Sequence, residues 1–249
     1  MIPKIIHYCW FGRGAMPDLV LKCIDSWKKY LPEYELHLWN EDNFDINLYP
    51  YAAEAYKERK FAFVSDVCRL YVLKEFGGIY VDSDVEMLKP LDQFLNQHVA
   101  FSGFEDNNYV PTGLMASERN GLWVSDLLAY YDNRSFYLSD GSLDLTTNTE
   151  VITQFMKGKG LKLHNSLQEI KNYCTFYPSE YFCPKSWKTK EINITANTHC
   201  IHHFAGSWLP PKKFWNRNEL LLRLLGPKKF EQLVAFYSKL KNNGKPYSE

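Results

Sequence analysis

The apolar positions change period along the chain, and the changes mark the elements. "KIIHYCWFG" is apolar, β-branched at its start and closed by a glycine, which predicts a buried strand. In "PDLVLKCIDSWKKYLP", Leu19, Cys23 and Trp27 recur every four residues between Pro17 and Pro32, the pattern of an amphipathic helix. "YELHLWN" then alternates and predicts a second strand. A β-α-β start of this kind predicts a parallel sheet with a nucleotide-sized crevice at the carboxyl ends of its strands.

"FVSDVCRLYVLKEFGG" predicts a helix capped by Ser65, with Asp66 in its first turn and Gly77-Gly78 ending it in a left-handed turn. "IYVDSD" does not alternate and predicts a central strand buried on both faces. "VAFSGFE" and "GLMASE" follow as a strand pair, and "LWVSDLLAYYDN" as a helix. Residues 132–150 are polar and turn-rich, "EVITQFMKG" is helical, and 170–200 is mostly irregular with short strands. The pattern predicts one domain over 1–209 and a helical extension over 210–249 packed on it.

Asp and Asn are depleted inside strands, so a buried strand that ends in Asp82 and Asp84 is used for something. Two carboxylates one residue apart can reach one hard cation while leaving positions open for phosphate oxygens. A D-x-D pair alone is also an ordinary polar turn; its place after a buried strand and a glycine-capped helix favours the cation. Asp66 and Arg69, three apart on one helix, form either an ion pair or a fixed acceptor and donor fork for sugar hydroxyls. "HHFAGSW" packs His202, His203, Ser207 and Trp208 into seven positions, and alternation on a strand points one imidazole inward, where it could complete a metal site. Trp10, at the end of the first strand, is either a core ring or a platform for a base.

Composition removes some alternatives. With 29 basic and 29 acidic residues the chain has no excess of Lys and Arg to neutralise phosphates, which argues against nucleic acid as a partner. Its six cysteines contain no C-x-x-C pair, so they read as reduced, buried thiols. The amino-terminal residues lack the pattern of a secretory signal and no apolar run is long enough to span a bilayer, which makes a cytoplasmic location the default. The sequons at Asn133 and Asn193 then carry no weight. From Pro210 onward, basic residues alternate with leucines and aromatics; that segment reads either as a helix pair on the sheet or as an interfacial helix giving peripheral contact at the inner membrane face.

Together, "IPKIIHYCWFG", "CIDSWKKYLPEYELHLWNE", "FAFVSDVCRLYVLKEFGGIYVDSDVEMLKPLD" and "IHHFAGSW" resemble, in order and spacing, the glycosyltransferases of family 32, which include capsular polysaccharide and mannosyltransferase enzymes. The resemblance covers about residues 2–105 and 199–208. It implies an α/β fold of GT-A type, a Rossmann-like, mostly parallel sheet flanked by helices. It also implies a nucleotide-sugar donor (UDP-hexose first), Mn²⁺ or Mg²⁺, a saccharide or lipid-linked saccharide acceptor, and retention at the anomeric carbon. On this resemblance Asp82 contacts ribose and metal, Asp84 binds the metal, and His203 is the third protein ligand with His202 as its substitute. Asp66 and Arg69 hold the donor sugar, Trp10 lies against the base, and Ser207 and Trp208 close over the diphosphate. Where relatives carry T-G-P, this chain has "TTNTEVIT", which leaves Asn148 a weak candidate. No carboxylate stands out as a covalent nucleophile, so the leaving diphosphate is expected to help deprotonate the acceptor. A haloacid-dehalogenase-type phosphatase is disfavoured by Glu86 at the fifth position of the motif; a non-catalytic saccharide- or nucleotide-binding module of the same fold is the remaining alternative.

Overall fold

The first strand, β1 (Ile5–Cys9), leads through α1 (Asp18–Tyr30) to β2 (Glu35–Trp39), which pairs with β1 in parallel from Ile5↔Glu35 to Cys9↔Trp39. The computed structural model describes residues 1–206 together with Gly226 and Lys229. Val20, Cys23, Ile24 and Trp27 form the buried stripe of α1, as the four-residue spacing predicts. After a 3-10 turn at Ile46–Leu48 comes α2 (Pro50–Lys57), which the sequence pattern did not reveal.

The next helix, α3 (Phe61–Phe76), starts four residues before the predicted cap. Ser65 is an interior residue whose hydroxyl bonds back to the Phe61 carbonyl at 3.1 Å, and Asp66 lies in the second turn. Burial decides the earlier start: Phe63 is in the core with its ring 5.2 Å from that of Phe136. Because α3 is buried on most of its circumference, its apolar residues show no single stripe. It stops at Gly77 and Gly78, with φ of 67° and 102°. A Cβ on Gly78 would lie 2.7 Å from the Ile5 carbonyl oxygen, so the predicted glycine turn is also a close approach to β1.

β3 (Gly78–Val81) is fully buried and pairs with β1 in parallel, Ile6 opposite Ile79. Then follow β4 (Val85–Met87), α4 (Asp92–Leu95), β5 (Ala100–Gly103), β6 (Leu114–Ser117), α5 (Leu122–Ala129), α6 (Asn148–Gly158), β7 (Gln168–Ile170), β8 (Cys174–Tyr177), α7 (Ser179–Phe182) and β9 (Cys200–His202). The main sheet has the order β2-β1-β3-β6-β5-β8-β7, and β4 pairs with β9 in a separate two-stranded sheet. Only β6 and β7 run against the rest of the seven strands, so the sheet is mixed but mostly of one direction. The carboxyl ends of β1, β3 and β5 therefore share one edge.

Two apolar layers cover the sheet. Phe63, Leu70, Trp123, Met156 and Phe176 belong to one, Ile6, Trp27, Val81, Phe101 and Phe182 to the other. All six cysteines are buried, and none is in a disulfide. Residues 185–192 fall in a separate unit from residues 1–184 and 193–206 and form a turn closed by an antiparallel bridge between Lys185 and Ile192. The predicted extension over 210–249, and its packing, lie outside the described residues. No helix among the described residues is long and apolar enough to cross a membrane.

Candidate active site

Asp82 leaves β3 at the common edge. Its N–H donates to the Gly113 carbonyl at 2.7 Å and its carbonyl accepts from Val85 N–H at 3.0 Å, so Asp82 to Val85 is a tight turn into β4. On the antiparallel pair of β4 and β9, Val85 faces His202. Ligand atoms of Asp82, Asp84 and His202 all lie within 4.8 Å of one another. His202 Nε2 is 3.3 Å from Asp84 Oδ1 and 3.9 Å from Asp82 Oδ2. The other Asp84 oxygen accepts from the Ala205 N–H at 2.7 Å.

The imidazole that lies with Asp82 and Asp84 is that of His202, not of His203 as expected. Successive side chains of a strand point to opposite faces, and His203 lies on the far face, where its Nε2 is 2.8 Å from Glu86 Oε2 and Lys22 holds the same carboxylate at 3.1 Å. Gly113 was not singled out in the sequence. A Cβ there would lie 2.9 Å from Val85 Cγ2, 3.0 Å from Asp82 Oδ2 and 3.2 Å from His202 Cγ. The absent side chain at position 113 is what lets the acid and the imidazole close together.

Electrostatics match the geometry. Burial opposes ionisation of Asp84, yet the His202 ring and the Ala205 amide outweigh it and hold its carboxyl down to about 2. Burial likewise penalises the His202 cation, but Asp84, Cys183 and Asp82 raise it well above the ordinary imidazole value. The folded chain thus gathers positive charge between two carboxylates. Two carboxylate oxygens and an imidazole nitrogen converging there are a donor set for one divalent cation, with room left for substrate oxygens. The residues fit such an ion.

Arg69 extends the constellation. One guanidinium nitrogen, Nη2, is 2.9 Å from Asp66 Oδ1 and 3.2 Å from Asp82 Oδ1, and the group lies over the Tyr80 ring at 4.6 Å. Arg69 therefore ties the helix acid to the strand-end acid, a link that spacing could not show. Burial pushes the Asp66 carboxyl up to about 6; Arg69 pulls it down and Asp82 pushes it further up. Asn148, the first residue of α6 after the capping Thr147, is buried beside Asp66. Its carboxamide leans towards that carboxylate without reaching hydrogen-bond geometry, and both amide atoms are unpaired. Such a group is costly unless a ligand completes it.

Trp10, half-buried, follows β1 at the same edge, and its indole N–H donates to the Gly14 carbonyl at 2.7 Å. Ser207 and Trp208 lie outside the described residues. Glu105, which follows β5 and was passed over in the sequence, has a raised carboxyl: burial pushes it up to about 7, opposed by His202 and reinforced by Asp106 and Asp82.

The model of the capsular polysaccharide synthesis protein family matches residues 1–141. An uncharacterised glycosyltransferase of Acanthamoeba polyphaga mimivirus is 32% identical over 230 residues, 86% of each chain. The chain belongs to the capsular polysaccharide synthesis family, a group of family-32-like glycosyltransferases. Its fold is α/β, a mixed but mostly parallel sheet flanked by helices. Inositol phosphoceramide mannosyltransferase 3 of Schizosaccharomyces pombe is 32% identical over 99 residues, but the match spans 38% of this chain and 28% of that one. Among solved structures, the PaToxG glycosyltransferase aligns with a TM-score of 0.43 at 20% identity, over 51% of this chain and 59% of that one. Membership of the family makes this chain a glycosyltransferase.

Proposed function

We propose that this glycosyltransferase moves a hexose from a UDP-sugar to a saccharide, free or lipid-linked, in surface polysaccharide synthesis, with a divalent cation and with retention. The convergence of Asp82, Asp84 and His202 at the sheet edge, tied to Asp66 through Arg69, carries this reading. Asp84 and His202 would hold Mn²⁺ or Mg²⁺, with Asp82 shared between the cation and the ribose. The ion would neutralise the diphosphate of the donor and so stabilise it as a leaving group. Arg69 presents a donor fork already oriented by Asp66, and Asn148 lies beside Asp66 with its amide atoms unpaired, which suits recognition of sugar hydroxyls. Trp10, just beyond the carboxyl end of β1, would stack on the base of the nucleotide. The names of the fungal relatives include mannosyltransferases acting on inositol phosphoceramide, which supports a lipid-linked acceptor and makes GDP-mannose the rival donor.

The test is a panel of UDP-glucose, UDP-galactose, UDP-N-acetylglucosamine and GDP-mannose, each incubated with the protein and Mn²⁺ while free nucleotide and sugar are measured. One donor is expected to be hydrolysed in a Mn²⁺-dependent way, releasing the sugar in its original anomeric form before mutarotation. Tight nucleotide binding with no turnover of any donor would replace the enzyme by a binding module.

A further inference from the structure

One carboxylate clamps the segment that leaves β1. After Trp10 the chain turns through Gly12 and Arg13, both left-handed with φ of 94° and 56°. A Cβ at Gly12 would collide with the Phe61 ring, so the turn is pressed against the start of α3. Glu41, half-buried just past β2, reaches across to it: Oε1 accepts the Gly12 N–H at 2.6 Å and the Tyr56 hydroxyl at 3.0 Å. A single oxygen thus joins the exits of the paired strands β1 and β2 to α2. Burial opposes ionisation of this carboxyl, but the amides of Gly12 and Glu41, the Tyr56 hydroxyl and Arg13 outweigh it and hold it below the ordinary glutamate range. Hydrogen bonds to an ionised acceptor are stronger than neutral ones. Arg13 also pairs with Asp42 at 2.6 Å, but both side chains are more than half exposed, so that pair holds the turn weakly.

The clamp matters for the ring that precedes it. The Trp10 main-chain N–H donates to the Trp39 carbonyl at 2.9 Å, and its indole N–H donates across the turn to the Gly14 carbonyl at 2.7 Å. Phe11 is buried, with its ring 6.1 Å from that of Phe44. The carbonyl that orients the indole therefore lies two residues beyond the amide that Glu41 holds. With its N–H spent on Gly14, the indole offers a ligand its π face, and the turn decides where that face points.

We infer that Glu41 is a positioning residue for the donor: by holding Gly12 it keeps the Trp10 ring set for stacking on the nucleotide base. This rests on the reading of Trp10 as the base platform given above. Asp82 and Asp84 lie beyond β3 and are braced by Gly113 and Ala205, so the clamp serves the nucleoside end of the donor and not its diphosphate.

The experiment titrates the unaltered protein, E41A, E41Q, W10A and the E41A/W10A double variant by calorimetry in Mn²⁺. Two probes are used: the nucleoside diphosphate of the donor that the panel selects (UDP or GDP), and inorganic pyrophosphate, which has no base. W10A is expected to weaken nucleotide binding at least about tenfold, the scale of base stacking on an aromatic ring, and E41A about 5- to 20-fold. Pyrophosphate should bind all five proteins within about twofold, and in donor hydrolysis the loss in E41A should fall in KM, with kcat within about threefold. E41Q, which keeps an oxygen for the same two donors, should recover to within about threefold of the unaltered protein. The double variant should bind nucleotide no more weakly than W10A, because without the ring the clamp has nothing to orient. Unchanged nucleotide binding in E41A overturns the inference, as does a loss that adds in full to that of W10A or that extends equally to pyrophosphate. Unchanged nucleotide binding in W10A removes the base platform, and this inference with it, while leaving the transferase reading in place. Unaltered protein that neither binds nucleotide with Mn²⁺ nor hydrolyses any donor overturns the transferase reading itself.

Discussion

His7 on β1 is completely buried, and its two ring nitrogens are committed to opposite roles. Nε2 donates to the Gly77 carbonyl at 2.8 Å and Nδ1 accepts from the Trp39 indole at 3.0 Å, an arrangement open only to the neutral ring. Burial, opposed by the Gly77 carbonyl and helped by His37, lowers its pKa from 6.5 to about 4. Between those values the unfolded chain carries a proton that the folded chain does not, so stability falls as pH drops from about 6.5 and levels off below about 4. The shift of about 2.5 units is worth about 3 kcal/mol in full, at 1.36 kcal/mol per unit, of which about 2.5 kcal/mol is lost between pH 7 and pH 4.5. An H7Q protein, which keeps a donor and an acceptor but cannot titrate, should lack that increment. Urea unfolding followed by far-UV circular dichroism at pH 7, 5.5 and 4.5 measures it. The unaltered protein should lose about 1 M more of its midpoint than H7Q over this range, for a slope near 2.5 kcal/mol per M. Asp66 and Glu105, whose carboxyls are raised, act in the opposite sense, but they are present in both proteins and cancel in the difference. PH slopes that agree within about 0.5 kcal/mol would refute the neutral, doubly bonded His7.

Two further predictions concern the acidic cluster. H202A should weaken Mn²⁺ binding by at least about 100-fold and H203A by less than about tenfold, since the His203 ring braces Glu86 on the face away from Asp82 and Asp84; Mn²⁺ electron paramagnetic resonance titration measures both, and equal losses would contradict the assignment. G113A should cost about 1–3 kcal/mol by thermal or urea unfolding and weaken Mn²⁺ binding as well, because its methyl group would press on Val85, Asp82 and His202; a protein unchanged in both would contradict the close packing.

The parts of the fold that were legible are those set locally. The β1-α1-β2 start follows from residue spacing, and the stop of α3 follows from Gly77 and Gly78, whose conformations other residues resist. The start of α3 was misread because Ser65-Asp66 carries a local capping signal, whereas the burial of Phe63 against Phe136 is a contact between distant segments. At the site, chemistry was legible and parity was not. Two adjacent histidines announce that one of them faces inward, but the register of β9 on β4 decides which, and register is a tertiary property. Gly113 left no local mark, because it matters only through strands that pair across the sheet. The Arg69 bridge to Asp82 is of the same kind: thirteen residues of helix, turn and strand must fold before the two side chains meet.

The direct measurement is the affinity for UDP with and without Mn²⁺, by isothermal titration calorimetry, in the unaltered protein and in D84A checked for an unchanged fold by circular dichroism. A cation held by Asp82, Asp84 and His202 should tighten UDP binding at least about tenfold in the unaltered protein, and D84A should show no Mn²⁺ effect. An equal Mn²⁺ enhancement in D84A, or none in the unaltered protein, would contradict the account.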